Sequence, residues 1–204
     1  MSGAEPASAP PRRRADVVRN ERALVEAAAR VFSTSGVDAP VREVAAAARV
    51  GMGTLYRHFP TRADLMVAVY RHQIEACAEA GPALLASAPS PFVAVLEWTH
   101  LFVDFLGTKH GLVNVWSGDA AGFTALHQLF LVRLVPVLSD LLAAAVASGE
   151  IVADISSYEL LRAVGDLVAW ATPDPDYDVR RIVTLLVAGL REDQPHRLPR
   201  SQAG

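Results

Sequence analysis

Cysteine and lysine are almost absent from this chain, in which Cys77 and Lys109 are the single representatives among 204 residues. One cysteine cannot form an intrachain disulfide, which suits a reducing compartment. No run of about 18 apolar residues without a charge occurs, and no apolar segment follows the N-terminal arginines. We therefore expect neither a transmembrane helix nor a secretory signal, and we expect a cytoplasmic protein.

The sequence also lacks the common motifs of catalysis and metal binding. Its six histidines are scattered, with no His-Glu-x-x-His and no cysteine pair. It contains neither a glycine-rich phosphate loop nor a nucleophile elbow. We expect no catalytic residue, no metal and no cofactor. One alternative is a small helical enzyme that uses His100 and Asp104, which stand four apart and can pair on a helix.

Charge is distributed unevenly along the chain, although the net charge is only -3. Residues 12–72 contain 11 arginines and 6 acidic residues, whereas residues 73–204 contain 8 basic and 15 acidic residues. A basic front and an acidic rear indicate that only the front contacts a polyanion. The hydrophobic fraction of 51% is sufficient for a packed core.

Apolar residues recur at three- and four-residue spacing, and no segment alternates with a period of two. The sequence predicts an all-α fold. We interpret residues 1–18 as a flexible basic arm, in which Arg12 to Arg14 either grip DNA or are inert, and residues 193–204 as a disordered tail. Breaks are expected at Gly81-Pro82 and at 87–91. The predicted helices cover residues 20–35, 41–48, 52–59, 61–80, 92–108, 112–117, 121–148 (with a kink at Pro136), 156–171 and 178–192.

The second and third predicted helices have the properties of a helix-turn-helix. Small and aliphatic residues allow the two helices to pack closely, and Gly51 allows a tight turn. Leu55 and Phe59 are expected to point inward. The remaining face of the third helix offers hydrogen-bond donors to bases and phosphates. A protein-interaction module would not explain this polar, cationic face. The donors are Thr54, Tyr56, Arg57 and His58, of which Tyr56 could instead pack at the domain edge and His58 could be an ordinary surface residue.

The segment that carries these helices resembles the signature of the TetR family of transcriptional regulators. The resemblance is specific from about Asn20 to Tyr70, and it is clearest in GTLYRHFPTRADL. It implies a three-helix DNA-binding domain over residues 19–64 and a larger helical domain over residues 65–192 for ligand binding and dimerisation. It further implies a homodimer on a palindromic operator in double-stranded DNA. Most relatives are repressors that an effector releases; an activator or a ligand-corepressed regulator remains an alternative.

The resemblance also assigns roles to individual residues. Met52, Gly53, Thr54 and Arg57 correspond to positions that approach bases, where Gly53 either avoids a clash with DNA or is merely a weak helix former. Tyr56 and His58 correspond to phosphate-holding positions. Arg62, at the start of the fourth helix, is placed where the helix dipole favours a phosphate. The complete predicted DNA-binding set is Arg42, Gly51, Met52, Gly53, Thr54, Tyr56, Arg57, His58 and Arg62.

Two residues depart from the pattern of this family. Pro40 stands where Thr or Ser usually caps the second helix and contacts a phosphate, and a proline can begin a helix but cannot make that contact. Arg49 stands in the turn where Gly is usual, so it should adopt a backbone conformation that costs a non-glycine residue about 1 kcal/mol.

In the rear of the chain, aromatic residues at helical spacing are mainly expected to be core. A sharper hypothesis is an apolar effector pocket formed by Trp98, Phe102, Phe105, Trp116, His127, Phe130 and Trp170. The polar candidates beside these aromatics are His100, Asp104, His127 and Arg133. Together with the resemblance, two apolar C-terminal helices predict a four-helix bundle across a two-fold axis. The expected dimer contacts are Leu160, Leu161, Val164, Leu167, Val168, Ile182, Leu185, Leu186 and Leu190.

Overall fold

A computed structural model describes residues 11–36, 38–115, 120–152, 154–169 and 176–191. All regular structure in these residues is helical, which confirms the prediction of an all-α fold. The helices are α1 (Pro11–Ser35), α2 (Val41–Ala47), α3 (Met52–His58), α4 (Arg62–Ser87), α5 (Pro91–Val115), α6 (Ala120–Ala147), α7 (Ser157–Ala169) and α8 (Val179–Ala188), followed by a 3-10 turn, Gly189–Arg191.

Helix α1 begins at Pro11, whereas the predicted helix begins at Asn20 and the predicted basic arm extends to residue 18. Proline is favourable in the first turn of a helix, and the arginines and alanine that follow are good helix formers. Its apolar face is buried at Leu24, Ala27, Ala28 and Phe32, with Leu24 fully inaccessible. The helix ends as expected at Gly36, which has a φ of 80°. Residues 1–10 and the predicted tail at 193–204 lie outside the described residues.

Helix α4 continues through Gly81-Pro82 to Ser87, where the sequence predicted a break. Gly81 is buried, and a Cβ atom at this position would collide with the side chain of Val137 in α6. The glycine therefore permits close approach of two helices and does not end one. Pro82 removes one backbone donor, and the packing of α4 overrides that local preference.

Helix α5 also extends beyond its predicted end, since it absorbs residues 112–115 of the predicted short helix at 112–117. The N-terminus of α5 is capped by Glu150, which lies 58 positions further along the chain. Its Oε2 accepts a hydrogen bond of 3.1 Å from the N–H of Phe92. Hydrogen bonds with the Ser90 hydroxyl and with that N–H lower the pKa of Glu150, and Arg191 contributes to the same shift. The carboxylate thus complements the positive end of α5.

Pro136 lies in the interior of helix α6, as the sequence predicts. Its segment Thr124–Ala147 is long and apolar enough to cross a membrane by length and composition, but core helices of water-soluble proteins pass the same test. Two polar contacts tie this helix to others. Arg133 forms an ion pair with Glu75 of α4, and Ser139 hydrogen bonds to Ser157 at the start of α7 over 2.7 Å. Contacts of this kind are typical of a helix packed within a protein.

The chain divides into two compact units within α4, between Gln73 and Ile74, whereas the domain boundary expected from the resemblance follows Asp64. The first unit covers Met1–Gln73 with Gly111–Gly118, and the second covers Ile74–His110 with Asp119–Gly204. The first unit contains α1, α2 and α3, and α1 packs against α2. In the second unit α7 contacts both α6 and α8.

Candidate nucleic-acid interface

The turn between α2 and α3 is closed by two backbone hydrogen bonds. The N–H of Val50 donates to the carbonyl of Ala45 over 3.0 Å, and the N–H of Arg49 donates to the carbonyl of Ala46 over 3.1 Å. This pair of bonds defines a Schellman C-terminus, which needs a left-handed residue directly after the helix cap. Arg49 is that residue, with a φ of 57°. The strained turn predicted for Arg49 is confirmed.

Neither α2 nor α3 has a side-chain cap at its N-terminus. Pro40 is the N-cap of α2 and Gly51 is the N-cap of α3, and neither provides a side-chain hydrogen bond to its helix. The predicted loss of a hydroxyl cap at Pro40 is thus confirmed. Free N–H groups at helix starts are available to an external acceptor such as a phosphate oxygen.

The inner face of the motif is closely packed. Val44 and Ala45 of α2 are buried, as are Leu55 and Phe59 at either end of the last turn of α3. The exposed fraction of Leu55 is 1%. The burial of Leu55 and Phe59 confirms that they point inward, and it determines which face of α3 is exposed.

The outer face of α3 is open and polar. Tyr56 is half exposed at 50%, Arg57 is exposed, and Thr54 and His58 are partly exposed. Gly53 is exposed, and a Cβ atom built on it meets nothing within 4 Å. Neither backbone conformation nor internal packing therefore requires a glycine at this position. The other predicted contact residues Arg42, Gly51 and Met52 are exposed as well.

The N-terminus of α4 has a capping box formed by Thr61 and Asp64. The carboxylate of Asp64 accepts hydrogen bonds from the N–H and hydroxyl of Thr61 over 2.9 and 2.8 Å, and the Thr61 hydroxyl accepts one from the N–H of Asp64 over 3.1 Å. Arg62 is partly buried, and its guanidinium lies over the ring of Phe32 at 5.5 Å. The box fixes the first turn of α4, and Phe32 restrains the side chain of Arg62.

In the second unit, four of the predicted pocket residues form one aromatic cluster. Trp98 stacks on Phe102, which also contacts Phe105 and Phe130 at ring distances of 5.7–6.0 Å. All four are buried, and the indole N–H of Trp98 donates to the carbonyl of Cys77 over 2.8 Å. His127 is exposed and stacks on Phe130. Trp116 and Trp170 lie outside the described residues.

The predicted helical pair of His100 and Asp104 does not form. His100 Nε2 lies 2.9 Å from the hydroxyl of Thr184, and Asp104 forms an ion pair with Arg180. Thr184 and Arg180 are themselves one turn apart on α8, so two matched pairs join α5 to α8. Because the Thr184 hydroxyl donates to the carbonyl of Arg180 over 2.8 Å, it accepts a hydrogen bond from His100 Nε2–H.

Burial raises the pKa of the Cys77 thiol to about 12, and the nearby charge of Asp104 adds to the shift. The thiol therefore stays protonated and unreactive at neutral pH. Arg133, another polar candidate, donates to both oxygens of Glu75 over 3.0–3.1 Å. The structural partners of Asp104 and Arg133 were not predicted, because those partners are distant in sequence.

The predicted dimer residues fall into two groups in the single chain. One group is exposed or partly exposed on α7 and α8: Leu167, Ile182, Leu185 and Leu186. Leu185 has an exposed fraction of 59%. The other group is already buried inside the single chain: Leu160, Leu161, Val164, Val168 and Leu190.

Helices α7 and α8 start within one residue of their predicted starts, and each has a side-chain cap that we did not predict. Ser156 and Glu159 form a capping box at α7, with the N–H of Ser156 donating to Glu159 over 2.9 Å. Asp178 caps α8 by accepting from the N–H of Arg181 over 3.1 Å. The Ser-x-x-Glu spacing of the box at α7 is visible in the sequence.

Comparisons with known proteins agree with this geometry. Residues 24–69 match the family model for bacterial regulatory proteins of the tetR family, and residues 90–192 match the model of the SbtR-like transcriptional regulator C-terminal domain. A TetR transcriptional regulator from Streptomyces coelicolor is 35% identical, with a TM-score of 0.69 over 85% of this chain and 99% of its own. A TetR regulatory protein from Mycobacterium vanbaalenii is 29% identical, with a TM-score of 0.66 over 88% and 99%. No curated protein matches the chain.

Proposed function

This chain belongs to the TetR family of transcriptional regulators, and we propose that it is a cytoplasmic repressor that binds a palindromic operator as a homodimer and is released by a small molecule. The observation that carries the DNA-binding part is the outer face of α3. It presents exposed donors and a glycine for which the fold has no internal need.

Each side chain on that face has a chemical role suited to DNA. Arg57 can donate two hydrogen bonds to a guanine edge, and Thr54 can contact either a base or a phosphate. The Tyr56 hydroxyl and His58 can bind phosphates on the groove edge. The absence of a Cβ at Gly53 lets the backbone of α3 approach the DNA closely.

The experiment is a gel-shift and footprint assay on the DNA upstream of the chain's own gene. Arg57→Ala and Tyr56→Ala should each weaken specific binding by about 1–3 kcal/mol. Arg162→Gln is a matched control because Arg162 is an exposed cation on α7, paired with Asp166 at 3.7 Å. An exposed pair of this kind contributes little to stability. Absence of specific binding by the unmodified protein at low salt would refute the proposal.

For the effector, we propose a mainly apolar small molecule that binds beside the aromatic cluster of α5 and α6. Buried rings with one polar residue, His127, at the margin are typical of small-molecule sites. The same hypothesis includes Trp116 and Trp170 among the residues of the effector pocket. A panel of apolar compounds should contain members that release the operator, and Phe130→Leu should raise the concentration required. If no compound that releases DNA depends on Phe130, the effector site lies elsewhere.

For the dimer, we propose that the apolar surface of α8 around Ile182 and Leu185 contacts the same surface of a second copy. A two-fold interface is self-complementary, so one apolar patch suffices for both partners. In this arrangement Leu160, Val164 and Val168 support α7 from within the chain. Leu167 and Leu186, which are partly exposed, would contact the partner at the margin.

A further inference from the structure

Within the described residues, three helices are followed by a residue with a left-handed backbone. After α1 and α6 that residue is a glycine: Gly36 has a φ of 80° and Gly149 a φ of 75°. After α2 it is Arg49, the one non-glycine residue with a positive φ in the described part of the chain. The exception therefore falls in the turn of the helix-turn-helix.

The turn at Arg49 has the same hydrogen bonds as the turn at Gly149. At the end of α6, the N–H of Glu150 donates to the carbonyl of Ala145 over 3.0 Å, and the N–H of Gly149 donates to that of Val146 over 2.9 Å. A glycine adopts the left-handed conformation without steric strain, whereas a side chain disfavors it. A glycine at position 49 would therefore stabilise the end of α2 more than arginine does.

The guanidinium of Arg49 has no compensating contact within the described residues. Arg49 is exposed, and the part of the chain that the structure describes offers it no hydrogen bond, ion pair or aromatic ring. Backbone strain at Arg49 that no contact within the described residues offsets indicates that its side chain contacts another molecule. A cation with no internal partner is suited to an external anion.

The position of Arg49 identifies that anion. Arg49 stands two residues before Gly51, the N-cap of α3, and three before Met52. Three peptide units span at most about 11 Å, comparable with the major-groove width of about 12 Å. If the N-terminal end of α3 enters the groove, a long side chain just ahead of it lies at the groove edge, where phosphates run.

We propose that Arg49 binds a DNA backbone phosphate beside the groove that α3 enters. This inference rests on the proposed DNA-binding function and adds a contact to it. A guanidinium forms two parallel hydrogen bonds with phosphate oxygens, and its charge displaces one condensed counterion. The contact positions the turn on the backbone and carries no base specificity.

The test compares Arg49→Gly, Arg49→Asn and Arg49→Lys in the full chain. The probes are a duplex selected in vitro from a random-sequence library and an unselected duplex of the same length. Binding constants are measured at several salt concentrations, and melting temperatures are measured without DNA. Gly149→Arg serves as a control, since it places an arginine in the matching left-handed turn of α6.

Removal of the charge should lower the slope of log binding constant against log salt by about 0.9 per bound protomer, on both duplexes. Arg49→Lys should keep the slope. Arg49→Gly should raise the melting temperature by up to about 4 °C, because strain is relieved. Gly149→Arg should lower the melting temperature and leave the slope unchanged.

An unchanged slope in Arg49→Gly and Arg49→Asn would overturn the inference, even where the unmodified protein binds DNA strongly. If Arg49→Lys lowers the slope as much as Arg49→Asn does, the inference is also overturned, because the positive charge would then not be responsible for the slope. If no duplex is selected over random sequence, specific operator binding fails. The slope on the unselected duplex then still decides whether Arg49 contacts phosphate.

Discussion

Replacing Gly53 with alanine should make the protein more stable and a weaker binder of DNA. Gly53 is the second residue of α3, and a Cβ atom there meets nothing within 4 Å. The added methyl group therefore neither clashes with the protein nor gains a packing contact. Alanine is favoured over glycine in a helix by about 0.5–1 kcal/mol, so the variant should be stabilised by up to that amount.

The expected effect on DNA binding is opposite in sign. If the backbone of α3 approaches the groove at Gly53, the methyl group displaces the helix and disturbs the contacts to at least one base pair. Losing one base pair's contacts costs about 1–3 kcal/mol, or about 5- to 150-fold in the binding constant. Thermal unfolding measures the first effect, and fluorescence anisotropy on the operator duplex measures the second.

Gly107→Ala is the matched control. Gly107 is an exposed glycine inside α5, where a Cβ atom also meets nothing within 4 Å. Gly107→Ala should stabilise the protein to a similar extent as Gly53→Ala does, and it should leave DNA binding unchanged. Equal operator affinity of Gly53→Ala and the unmodified protein would show that the α3 backbone does not approach the groove at Gly53. Easier unfolding of Gly53→Ala would also contradict the prediction, because the glycine would then serve the fold.

Three other substitutions test the second unit. Gly81→Ala should destabilise the protein by about 1–3 kcal/mol in chemical denaturation, because the methyl group overlaps Val137; equal stability would mean that α4 and α6 separate freely. Glu150→Gln should lower the melting temperature at neutral pH. Because folding lowers the pKa of Glu150, its contribution is present above its ordinary value of 4.5 and is lost as pH falls through the folded pKa. The two melting curves should therefore converge in acid, and a constant gap would contradict the linkage. Leu185→Asp should yield monomers in sedimentation, whereas Val132→Asp, at a more exposed apolar position on α6, should not; equal dissociation would place the interface elsewhere.

The first unit was largely predictable because its signals are local. The capping box at Thr61 and Asp64, the stop at Gly36 and the inward spacing of Leu55 and Phe59 each depend on residues within one or two turns. The left-handed conformation of Arg49 followed from the resemblance to the family, in which glycine is usual at this position. The early start of α1 was missed because a Pro- and Arg-rich segment resembles a disordered arm in composition.

The second unit was less predictable because its decisive contacts join distant residues. Gly81-Pro82 is a strong local break signal, and only the proximity of Val137 explains why α4 continues. His100 and Asp104 are one turn apart and were expected to pair. Their stronger partners on α8 lie more than 70 positions further along the chain. Spacing on one helix identifies possible pairs, but packing between helices decides among them.

The salt-dependent binding of the full chain to its own upstream DNA decides whether the outer face of α3 contacts DNA. We expect a specific footprint on a palindrome that weakens steeply as salt rises, that needs about 5- to 150-fold more protein in Arg57→Ala, and that is unchanged in Arg162→Gln. A protein that remains folded and gives no footprint at low salt would contradict the assignment of the outer face of α3 to DNA.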